Sequence, residues 1–185
     1  MDATQERLME RYREPHRLYH DVRHLREVLD AVELLADQAD NPEAVRWAAW
    51  FHDAVYQIGA TDNVERSAQL AERELADRPF VAEVARLVRL TESHKAVPGD
   101  RNGAVLCDAD LRILATGPAR YAEYIADVRA EHVDATDAEF AHGRSLILEQ
   151  LLNGPVFHTR TARLLWERHA RANLTSEVAR LRAPA

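Results

Sequence analysis

The run Ala48-Ala49-Trp50-Phe51-His52-Asp53-Ala54-Val55-Tyr56 sets an imidazole beside a carboxylate in what reads as the middle of an apolar helix. Burying a polar group without a partner costs about 1–3 kcal/mol, and an isolated ionised carboxylate far more, so His52 and Asp53 need something to bind. A divalent cation answers that need. Adjacent helical residues project about 100° apart, so both side chains reach one ion only from the flank of the helix, and other segments must complete its coordination. Two segments carry suitable residues: Tyr19-His20-Asp21-Val22-Arg23-His24 upstream and Asp108-Ala109-Asp110-Leu111 downstream. Imidazole nitrogens mixed with carboxylate oxygens suit manganese, iron, magnesium, cobalt, nickel or zinc and do not choose among them. Such a set leaves coordination positions open. The ion could then lower the pKa of a bound water and polarise a phosphoryl oxygen, the two needs of phosphoester hydrolysis.

The elements that must position these residues read as helices. Glycine is scarce, apolar residues recur with helical period, and no stretch alternates as a strand would, so the expectation is an all-α fold forming one domain over residues 1–185. A first helix spans residues 3–13 and ends before Pro15. Leu25, Val28, Leu29, Val32 and Leu35 form one apolar stripe with His24 at its head. Asn41-Pro42 reads as N-cap and first helical residue of a helix running through His52 to about Tyr56. Further helices follow Thr61 and Pro79, the latter ending near Thr91 and His94. Pro98 to Gly103 marks a turn, residues 104–115 a short helix holding Asp108 and Asp110, and Gly117-Pro118 the start of the next. Residues 135–152 and 160–182 complete the set.

Composition narrows the partners. A formal net charge of −7 argues against nucleic acid as the main partner, although an acidic site filled by metal still accepts an anionic substrate. Cys107 is the only cysteine, so no intrachain disulfide is possible, which fits a cytoplasmic protein. The first twenty residues are too charged for a signal peptide, and no apolar run is long enough for a membrane span.

His24, His52-Asp53 and Asp110, taken in order, match the H…HD…D signature, and the chain resembles the HD superfamily of metal-dependent phosphohydrolases. The likeness is closest to a bacterial subgroup with a YHxxxHL opening (Tyr19, His20, His24, Leu25), an FHDxVY centre (Phe51 to Tyr56), an NxExSA helix start (Asn63, Glu65, Ser67, Ala68) and a DADLxIL segment (Asp108 to Leu114). It extends to Tyr121, Tyr124, Arg129, Gly143-Arg144 and the segment Ala170 to Leu174. The resemblance implies an all-helical HD-type domain in which His24, His52, Asp53 and Asp110 hold a divalent metal. It prefers Asp110 to Asp108 as the ligand, because the family's metal aspartate directly precedes leucine. It implies a phosphohydrolase that cleaves a phosphoester of a nucleotide or similar small phosphorylated metabolite by attack of metal-bound hydroxide, with Asp53 orienting the water or bridging to a second ion.

The opening is also similar to the YHNxxHAxDV motif of cyclic-nucleotide phosphodiesterases, which makes His20 the general acid and His24 the ligand. The i, i+4 spacing puts both rings on one face. Asp21 stands where that motif has asparagine, and the two histidine roles could be exchanged.

Around this set, His94, Tyr121, Tyr124, Arg129 and Arg144 are candidate substrate contacts, since guanidinium forks match phosphate oxygens and tyrosine rings can stack on a base. Glu65 and Asp108 are candidates to orient a ligand or water from behind. Each also has a plain structural reading: His94 at a helix end, Glu65 as an early helical acid, the tyrosines as packing. Residues 158–182 carry six arginines against two glutamates and read as a solvated helical face with Leu164, Leu165, Leu174, Val178 and Leu181 turned inward. The alternative function is a metal-containing nucleotide-binding or sensing module without turnover, because binding and catalysis share the same ligands. A metal-free helical interaction protein is a third.

Overall fold

Helix starts in this chain are set by side chains that accept the free N–H groups of the first turn. In the computed structural model, which describes residues 2–183, Asp2 and Gln5 form a reciprocal capping box at the head of α1 (Ala3–Tyr12). Asp21 accepts the N–H groups of Arg23 and His24 and opens α2 (Val22–Leu35). An asparagine would cap equally well, which accounts for Asp21 in the similar motif. Asn41 with Pro42 opens α3 (Pro42–Phe51). There follow α4 (Asn63–Glu74), α5 (Val81–Leu90), α6 (Arg101–Asp110) continued by a 3-10 segment (Leu111–Ala115), α7 (Pro118–Glu131), α8 (Asp137–Leu152), α9 (Arg160–Leu165) and α10 (Glu167–Leu181). The protein is all-α, with no strand among the described residues. None of these helices is long and apolar enough to cross a membrane.

α3 lies at the centre. It packs against α2, α5 and α6, while α4 lies on α5, and α10 packs on α8 and on the 3-10 segment. Ala44, Ala48 and Ala49 are wholly buried, and their small side chains let neighbouring helices approach closely. The α2 stripe faces this centre, with Leu25, Val28, Val32 and Leu35 at most 1% exposed. Burying each such side chain contributes about 1.5–3 kcal/mol, so the stripe fixes how α2, and with it His24, lies against α3.

Three boundaries differ from the sequence expectation. The central helix stops at Phe51, so His52 and Asp53 sit at its C-terminal end rather than in its middle. The cause lies elsewhere in the chain: the buried guanidinium of Arg17 donates to the carbonyls of Asp53 (2.6 Å) and Ala54 (3.2 Å), and Tyr12 Oη accepts the Asp53 N–H at 3.2 Å. The turn expected at Asn102-Gly103 is the first turn of α6, because Asp100 accepts the Gly103 N–H. The C-terminal helix breaks at Trp166. That ring turns onto Phe157 with centroids 5.5 Å apart, and Glu167 accepts the N–H groups of Val156 and Phe157. The break carries Leu164 (75% exposed) and Leu165 (52%) outward, against the expectation that both face the core.

Candidate metal centre

Four side chains converge where α2, the end of α3 and the end of α6 meet. His24 Nε2 lies 3.0 Å from His52 Nε2, 3.3 Å from Asp53 Oδ2 and 3.2 Å from Asp110 Oδ1. His52 Nε2 lies 3.0 Å from Asp53 Oδ2 and 3.7 Å from Asp110 Oδ1. Donors about 2.1 Å from a common ion and separated by about 90–120° stand about 3.0–3.6 Å apart, so the spacings within His24, His52 and Asp53 fit a first-row metal. His24, His52 and Asp53 form a group able to hold a metal ion, their donor atoms all within 4.8 Å of one another, and Asp110 Oδ1 stands beside both histidines without belonging to that group.

The chemistry of the set agrees with the spacing. His52 Nδ1 lies 2.8 Å from the Ala49 carbonyl, which can only accept; Nδ1 therefore carries the proton and Nε2 offers its lone pair to the cluster. Burial opposes charge on His24, yet hydrogen bonds and charges from Asp110 and Asp53 outweigh it and hold the ring protonated, with a pKa of about 10. Burial likewise works against ionisation of Asp53 and Asp110, and the neighbouring histidines still keep both carboxyls far below the usual range. Two carboxylates facing two imidazoles at this distance demand positive charge between them. A bound cation would supply it in place of protons.

His94 and His20 flank the cluster. His94 donates from Nε2 to Asp110 Oδ2 at 2.8 Å, and its backbone has φ +52°. A non-glycine residue in that region is strained by about 1 kcal/mol, and this strain goes with aiming the ring at Asp110. His20 stands outside the cluster, its ring stacked on Tyr56 at 4.3 Å. Its Nδ1 donates to Glu131 Oε2 at 2.6 Å, which leaves Nε2 free. The other oxygen of Glu131 accepts the N–H groups of Leu18, Tyr19 and His20 at 2.8, 2.8 and 3.1 Å, and Tyr56 Oη donates to Oε2 at 2.9 Å. Burial raises the Glu131 pKa; the hydrogen bond and charge of His20, then the backbone donors, bring it down to about 2.

A cleft of about 820 Å³ opens beside the cluster, lined by His20, Asp53, His94 and Asp110 at one end and by Tyr124 and Arg144 farther along. Several sequence candidates are not brought here. Tyr121 is buried with its hydroxyl on Glu177, and Arg129 is tied to Asp137 and to the carbonyls of His132 and Ala135. Neither lines the cleft. Glu65 pairs with Arg89 on the exposed side of α4, its early-helix position having already suggested a structural role. Asp108, wholly buried, accepts the N–H groups of His158 and Thr159 at 2.7 Å each and so fixes the start of α9; it touches none of the four clustered side chains. Conversely, sequence reasoning passed over Arg17 and Glu131. Arg17 also donates to the His20 carbonyl at 3.1 Å, so one guanidinium ties the His20 loop to the Asp53 turn.

Comparison with family models, with curated proteins and with solved structures finds no match. Fold and site together thus define a class by chemistry alone: an all-α protein in which two buried histidines and a half-buried aspartate form a group that can hold a metal ion.

Proposed function

We propose that this chain is a metal-dependent phosphohydrolase of the HD type, acting on a phosphoester of a nucleotide or similar small phosphorylated metabolite. The observation that carries the reading is the convergence of His24, His52 and Asp53 within 3.0–3.3 Å, with Asp110 3.2 and 3.7 Å from the two histidines, beside a cleft that His20 also borders. These residues would hold a divalent ion, which when bound supplies Lewis acidity at a phosphoryl oxygen and an acidified water. The chain's own groups do the rest. Arg144 and Lys95 face the cleft as cations for phosphoryl oxygens. His20, with Nδ1 committed to Glu131, presents Nε2 as the group that protonates the leaving oxygen. Glu131 fixes the orientation of the ring and the nitrogen that carries its proton.

The test is elemental analysis of purified protein together with phosphate release from phosphorylated metabolites across added manganese, iron, magnesium, cobalt, nickel and zinc. Asp53→Ala is expected to abolish both bound metal and hydrolysis, and His20→Ala to keep the metal and lose rate by about 10²–10⁴-fold. Metal content and hydrolysis that both survive Asp53→Ala would sink the assignment. Metal bound with no turnover of any compound would favour the sensing module instead.

A further inference from the structure

The cleft is far larger than one phosphoryl group needs, and its far wall is one face of α8. Arg144, Ile147 and Leu151, at spacings of three and four, line it with wholly buried Leu148 behind them, and half-buried Val64 and Leu111 add further apolar surface. Ile147 is 57% exposed and stands one helical turn from Leu151, so together they give the cleft an open apolar wall.

The charges of the cleft are few and mostly matched. Its acids are Asp53, Glu92 and Asp110, and its full cations are Lys95 and Arg144. Arg144 donates from Nε to buried Glu177 (3.0 Å) and from Nη2 to Tyr124 Oη (2.7 Å), so part of its charge is already answered. Among the lining histidines, His20 faces Glu131, His94 faces Asp110, and His158 meets the His94 carbonyl. Asp53 and Asp110 together would cancel a divalent ion. Glu92 offsets one further cation, so what remains of Lys95 and a partly neutralised Arg144 is about one positive charge at most, enough for one phosphoryl group but not for a chain of them.

We propose that the α8 face selects the substrate: a phosphoester with a single phosphoryl group whose alcohol part is a bulky apolar or aromatic body seated on Ile147 and Leu151, and not a polyphosphate. This rests on the hydrolase reading for the word substrate, while the binding preference stands on the cleft alone. Phosphonates, whose P–C bond is not hydrolysed, separate the two. The purified full chain, with divalent metal in excess, is titrated calorimetrically with (1-naphthylmethyl)phosphonate, methylphosphonate and inorganic tripolyphosphate. The naphthyl compound is expected to bind at least about tenfold more tightly than either of the others. In Ile147→Ser, and independently in Leu151→Asn, that advantage over methylphosphonate should shrink by about tenfold while methylphosphonate itself binds as before. Tighter binding of tripolyphosphate, or an advantage unchanged in both variants, would overturn the proposal. The expected preference without hydrolysis of any ester would leave it standing and remove the hydrolase reading.

Discussion

Replacing Glu131 by glutamine tests whether the His20 loop is built on a buried carboxylate. The wild-type side chain is wholly buried and accepts five hydrogen bonds: three from successive backbone N–H groups, one from His20 Nδ1 and one from Tyr56 Oη. Its pKa falls from 4.5 to about 2 on folding, a stabilisation of roughly 3 kcal/mol at neutral pH. Because the folded pKa is the lower one, that stability is fully present above the unfolded pKa and is lost as pH falls from about 5 through 2. Glutamine keeps one acceptor for the backbone donors but sets an NH₂ against His20 Nδ1 and Tyr56 Oη, and it carries no charge. The expected result at pH 7 is a loss of roughly 2–3 kcal/mol in urea unfolding followed by circular dichroism. The gap between variant and wild type should narrow by roughly 2 kcal/mol between pH 7 and pH 3, since the wild type loses its own advantage over that range. A variant as stable as wild type at pH 7, or a gap that does not change with pH, would refute the account.

Other perturbations act at single contacts. Arg17→Met retains much of the volume but frees the carbonyls of His20, Asp53 and Ala54; it should cost about 3–5 kcal/mol in unfolding free energy and weaken metal retention in equilibrium dialysis. Gly103→Ala would set a methyl group 2.3 Å from Asp100 Oδ2 and 2.6 Å from Leu90 Cδ2, so a loss of about 1–3 kcal/mol is expected in the same denaturation assay. Asp108→Ala leaves two buried N–H groups at the start of α9 without their acceptor, and amide exchange of His158 and Thr159 should accelerate while metal content is unchanged.

What the sequence discloses about this molecule is what local chemistry decides. Asn41 before Pro42, Gly117 before Pro118 and the α2 stripe all act within a few residues, and the helices they predict are present. The end of α3 was not legible, because Ala54, Val55 and Tyr56 contain no helix breaker and the guanidinium that takes the carbonyls comes from Arg17. Glu131 was hidden for the same reason. On a charged helix it reads as a solvated acid, and only tertiary structure turns it under the His20 loop, whereas its neighbour Arg129 drew attention and faces away. Asp108 and Asp110, two residues apart, are separated by helix geometry: one meets the histidines, the other the backbone before α9. The convergence of the four clustered side chains is expected from their types taken together and from the motif resemblance, which alone prefers Asp110 to Asp108.

The clamp on His20 also orders events in time as the chain leaves the ribosome. All four clustered side chains have been synthesised by residue 110, but the carboxylate under the His20 loop arrives with residue 131, at the last turn of α7. A nascent chain paused between those points would carry every member of the cluster and no acceptor for the N–H groups of Leu18, Tyr19 and His20, so that loop can be anchored only after one more helix is added and folded.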